Sequence, residues 1–131
     1  MKTLTRLGAF AVAVAALLLA LAGCGNSGTA EQMTISGATV KLTGSGLTDG
    51  GAYLVFMCDK GGDTPKAVIS ALRQDGVLQD AKGNKGVPGT GMQAALSNGV
   101  EIRIAYTLPA GTDTASLRFK FSGYERALAN L

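Results

Sequence analysis

Val100-Glu101-Ile102-Arg103-Ile104-Ala105-Tyr106-Thr107-Leu108 puts an apolar side chain at every even position and a polar or small one at every odd position. Leu117-Arg118-Phe119-Lys120-Phe121 keeps the same alternation in the opposite parity. Successive side chains of a strand point to opposite faces, so a period of two marks strands with one buried face and one wet face. Between them, Pro109-Ala110-Gly111-Thr112-Asp113-Thr114 has the composition of a loop. The simplest expectation is a hairpin closed by that loop. Its outward face would then gather Arg103, Arg118 and Lys120, with Glu101 nearby.

Working outward, the rest of the chain from about Met33 has the same character. Ala38, Val40 and Leu42 share a face, and Gly44-Ser45-Gly46 is expected to end that strand. Ala52-Tyr53-Leu54-Val55-Phe56-Met57-Cys58 is apolar on both faces, the mark of a central strand. Val77 to Gln79 runs into Asp80-Ala81-Lys82-Gly83-Asn84, a turn. Thr64 to Gln74 carries two periods at once. A helix capped at Thr64 with Pro65 at its first position would align Val68, Ala71 and Leu72. A strand would align Ala67, Ile69 and Ala71, with Asp75-Gly76 closing a hairpin into Val77. The β character of the neighbours favours the strand. Roughly five to eight short strands in about 100 residues predict an all-β fold, a small antiparallel β-sandwich.

The first residues read differently. Lys2 and Arg6 precede Leu7–Ala22, an apolar run of 16 residues, shorter than the roughly 20 needed to span a bilayer. The run ends in Leu21-Ala22-Gly23-Cys24. This resembles the lipobox of bacterial lipoprotein precursors: a branched apolar residue, two small residues, then cysteine. The resemblance implies a diacylglyceryl group on the Cys24 thiol, cleavage before Cys24, and acylation of the new amino group in diderm bacteria. It also implies a membrane partner, reached through that lipid. Gly25, where aspartate would favour inner-membrane retention in enterobacteria, implies the periplasmic face of the outer membrane in a diderm host; a monoderm host would place the protein on the outer face of its single membrane. The domain reading is a signal peptide over 1–23, a lipidated cysteine with a small, polar tether over 24–32, and a sandwich over 33–131.

Removing 1–23 takes away Lys2 and Arg6, leaving ten basic against nine acidic side chains, a net charge of +1. That balance argues against a nucleic-acid partner. Cys58 becomes the one thiol outside the lipid site, and its apolar run marks it as a buried side chain.

Catalytic signatures are missing. The chain has no histidine, which excludes a Ser-His-Asp triad, a Cys-His dyad and a His-ligated zinc. It has no Gly-x-Ser-x-Gly elbow and no Walker loop. Asp59 and Asp63 flank Lys60-Gly61-Gly62 without the spacing or bidentate glutamate of a calcium loop, and read as a solvated turn. No cofactor is expected. Tyr106 belongs to the core face of its strand, and Tyr124 to a packing position that closes the sandwich.

Gly99–Phe121, with its Leu-Pro-Ala-Gly loop and Ser-Leu-Arg-Phe strand, looks like the closing strands of immunoglobulin-like domains in bacterial lipoproteins of unknown function. That resemblance implies a fold and no activity. The functional expectation is a non-enzymatic envelope lipoprotein presenting a small β-sandwich for binding or assembly, its partner an envelope protein or an anionic glycan or lipid. The alternative is a small-ligand, anion or metal-binding module, with the Arg103, Arg118 and Lys120 face or the Asp59–Asp63 turn as its site.

Overall fold

The computed structural model describes residues 30–131. Among these residues, eight strands form two antiparallel sheets that pack on each other, a small β-sandwich with one α-helix: β1 (Met33–Ile35), β2 (Ala38–Thr48), β3 (Gly51–Cys58), α1 (Thr64–Asp75), β4 (Val77–Gln79), β5 (Val87–Leu96), β6 (Gly99–Thr107), β7 (Arg118–Phe121) and β8 (Tyr124–Ala127). One sheet has the order β1-β2-β3-β6-β5, the other β4-β7-β8. The signal-peptide, lipid-site and tether readings over 1–29 lie outside the described residues.

The alternation in the sequence decides which side chains meet. Even-numbered Val100, Ile102, Ile104 and Tyr106 of β6 are buried, beside Ala52, Leu54, Phe56 and Cys58 of β3 and Val40 and Leu42 of β2. Residues 52–58 form the central strand that their two-sided apolarity predicts. Leu78, Phe119 and Tyr124 cover this face from the smaller sheet. Phe119 stands edge-on to Phe56 at 5.2 Å and to Tyr124 at 6.5 Å between ring centres, so one ring joins the two sheets.

Three expectations are corrected. First, β6 does not pair with β7: it lies between β3 and β5, whereas Arg118–Phe121 pairs with β4 and β8 in the other sheet. The loop over 108–117 carries the chain from one layer to the next, tied down by the Leu108 amide donating to the Gly50 carbonyl at 3.0 Å. Parity settles which side chains face the core, but it does not choose the partner strand.

Second, Thr64–Asp75 is a helix, with Pro65 near its start. Val68 and Leu72, one turn apart, are both fully buried. The helical period wins because it sinks these two larger side chains beneath the sheet. Ile69 reaches β5, where a side chain on Gly91 would bring a Cβ within 2.4 Å of Ile69 Cγ2. Gly91→Ala therefore overpacks the helix–sheet seam and is expected to cost about 1–3 kcal/mol in chemical denaturation. An unchanged denaturation midpoint would mean that α1 is not seated there.

Third, Gly44-Ser45-Gly46 does not end β2. The strand passes through a register shift between Leu42 and Gly44 and continues to Thr48. At that irregularity the Leu42 amide donates to the Tyr124 hydroxyl at 3.2 Å, across the core from the other sheet. Tyr124 thus closes the sandwich by packing and by a hydrogen bond. Tyr124→Phe leaves a buried amide unmatched, and a loss of about 1–3 kcal/mol is expected in the same assay.

Candidate functional site

Cys24 lies outside the described residues. The three cations of the expected patch are described, and they are not together. Arg103 stands on the outer face of the five-stranded sheet, between buried Ile102 and Ile104. Arg118 and Lys120 flank buried Phe119 and so occupy the outer face of the three-stranded sheet, the opposite side of the sandwich. Each group also has an acidic companion. Arg103 Nε lies 3.7 Å from Glu101. Arg118 Nε donates to Glu125, the residue that sits opposite Lys120 in the β7–β8 register. The joint patch is thereby replaced by two small clusters, Arg103 matched by Glu101, and Arg118 and Lys120 sharing the one carboxylate of Glu125.

The Arg103 cluster has more structure. A side chain at Gly46 of β2 would run into the Tyr53 ring, with its Cβ 2.5 Å from the hydroxyl. The bare glycine lets that ring lie flat along the sheet. Arg103 then stacks over the ring, its guanidinium carbon 5.3 Å from the centroid. Beside it, Met92, Gln93 and Ala94 of β5 complete a shallow groove of about 160 Å³ with Glu101 and Arg103. The outer face thus offers an ordered cation–aromatic pair next to an exposed apolar strand.

The Asp59–Asp63 turn is structural. The Asp59 carboxylate accepts from the Thr39 amide at 2.8 Å, and the Asp59 amide donates back to the Thr39 carbonyl at 3.2 Å. Asp63 stands just before α1 and makes no side-chain cap bond. Among the described residues, no three His, Cys, Asp or Glu side chains gather within reach of one metal ion. The Cys58 thiol is buried and donates to the Lys60 carbonyl at 3.3 Å.

Two features carry no clear mark in the sequence. Asp80, only 2% exposed, accepts hydrogen bonds on both carboxylate oxygens from residues on two loops. The turn composition of 80–84 hints at the local half of this network, but the long-range partner, Asp113, gives no sign. Tyr106 is buried with its hydroxyl unpartnered, and burial pushes its pKa up to about 12 against the opposing charge of Arg73. An unmatched buried hydroxyl is a cost. Tyr106→Phe is therefore expected to leave stability unchanged or raise it by up to about 1 kcal/mol, and a clear loss in denaturation would show that the hydroxyl has a partner.

Among the described residues, no helix is long and apolar enough to cross a membrane. Comparison with family models, with curated proteins and with solved structures finds no match to this chain.

Proposed function

We propose that this chain is a lipoprotein of the cell envelope, held to a membrane by lipid on Cys24, that presents its β-sandwich for binding or assembly and catalyses no reaction. The observation that carries the reading is Leu21-Ala22-Gly23-Cys24 at the end of an uncharged apolar run. Among the described residues the first strand begins at Met33, and the sequence between it and Cys24 is short, small and mostly polar. Each buried methylene contributes about 0.8 kcal/mol to membrane binding, so two or three acyl chains hold stably where one does not. In a diderm host the place is the periplasmic face of the outer membrane.

Cys24→Ser tests the reading in cells. The native chain is expected to take up labelled palmitate and to sediment with membranes. The variant should take up none and should lose its membrane-bound fraction. Equal sedimentation of both chains would defeat the proposal.

A further inference from the structure

Among the described residues the two sheets have four edges, and three are short. β1 and β4 have three residues each, and β8 has four, including Glu125 and Arg126. β5 is different. It has ten residues, pairs with β6 on one side, and has no strand on the other. Natural edges are blunted by charge, proline, bulges or brevity, because a row of unpaired amides and carbonyls invites another strand. In β5, Pro88 and the register shift between Pro88 and Gly91 blunt the first half only. From Gly91 to Leu96 the pairing is regular, and Gly86 to Gly99 contains no charged residue. Of the five large apolar side chains that stand exposed, β5 holds three: Val87, Met92 and Leu96.

We propose that this edge is the docking surface for a second copy of the chain, β5 pairing antiparallel with β5 about a two-fold axis through Ala94. In a two-fold pair residue i meets residue j and j meets i, and only a charge on the axis meets its own like, so an edge without charge carries no repulsion in any register. From Gly86 to Gly99 this edge has no charge. Centring the pair on Ala94 sets Met92 of each copy against Leu96 of the other on the outer face, because residues i and i+2 share a face and registers run in opposite directions. Each of these side chains, 64% and 47% exposed in the single chain, then covers the other. The two five-stranded sheets become one continuous sheet. Glu101 and Arg103, the ionic residues of β6 beside the regular part of β5, have backbones three strand spacings from their counterparts, about 14 Å and beyond the screening length of about 8 Å. The inference rests on the lipid-anchor reading in one respect: a membrane confines the copies and raises their effective concentration.

Site-directed crosslinking of the full chain in cells tests the proposal. Ala94→Cys places a thiol at the axis, and Lys41→Cys places one on β2, away from the edge; both positions are exposed, and native Cys58 is buried. With a short bismaleimide, Ala94→Cys is expected to give about tenfold more covalent dimer than Lys41→Cys. Adding Leu96→Lys to Ala94→Cys should bring the yield down to the Lys41→Cys level. Equal yields from the two single variants, a dimer that survives Leu96→Lys, or an Ala94→Cys product whose mass is not twice that of the chain would overturn the proposal. Palmitate labelling of the same cells keeps the two readings apart, since a labelled chain without crosslinks defeats the edge pairing alone, and a crosslinked chain without label defeats the anchor alone.

Discussion

Phe119→Ala is expected to lower the unfolding free energy by about 3–5 kcal/mol, the range for deleting a fully buried phenyl ring. The site offers little room to collapse. Phe119 is fully buried, touches Phe56 and Tyr124 edge-on, and is held between strands on both sides, β4 and β8. Its ring also touches Phe56 of the other sheet, so a cavity there weakens the union of the two sheets. Small domains carry about 5–15 kcal/mol of stability in all, which makes the variant marginal. The measurement is urea denaturation followed by tyrosine fluorescence and circular dichroism. A loss under about 1 kcal/mol would mean that the three-stranded sheet does not cover the core through this ring.

The second large effect is expected at Asp80. Its Oδ1 accepts from the Lys82 and Asn84 amides at 3.0 and 2.7 Å, and its Oδ2 from Asn84 Nδ2 and the Asp113 amide at 2.9 and 2.8 Å. One carboxylate thus binds the 80–84 turn to the loop that links β6 to β7. Burial pushes its pKa up, but the hydrogen bonds from Asp113, Asn84 and Lys82 outweigh burial and bring it down from 3.8 to about 2. The sign follows directly. A folded pKa below the unfolded one means that the stabilisation is complete above about pH 4 and is lost as the pH falls toward 2.

Asp80→Asn is the sharper variant. Its amide keeps one acceptor for Lys82 and Asn84 but turns an NH₂ toward the two donors that now share Oδ2. A fall in melting temperature of several degrees is expected at pH 7, with faster amide exchange at Asp113. The gap between native and variant should narrow as the pH drops from 4 to 2. A gap of constant size across that range would show that the ionised carboxylate is not what binds the loops.

Alternating segments of this chain revealed their faces readily. Val100 to Tyr106 bury every second side chain, and Ala52 to Cys58 take the central place that apolarity on both faces requires. Partners were less legible. A loop of suitable length between two alternating segments fits a hairpin and fits a crossing between layers equally well, and only packing around Phe119 separates them. The same ambiguity misplaced the cations: Arg118 and Lys120 share a face by parity, whereas joining Arg103 to them needed the wrong pairing.

Thr64–Asp75 shows a helical and a strand period together because Val68, Ala71 and Leu72 fit the first while Ala67, Ile69 and Ala71 fit the second, and burial of Val68 and Leu72 selects the helix. β5 has no periodic signal, since from Met92 to Leu96 its residues are exposed on both faces and no burial has shaped their order. That is why its edge emerges only from the sheet.

The most direct test of the central claim is mass spectrometry of the N-terminal peptide of the protein extracted from its own membranes. The account predicts a peptide that begins at Cys24 and carries diacylglyceryl on sulfur. A peptide running through an unmodified Cys24, or a chain recovered free of lipid from the surrounding medium, would contradict it.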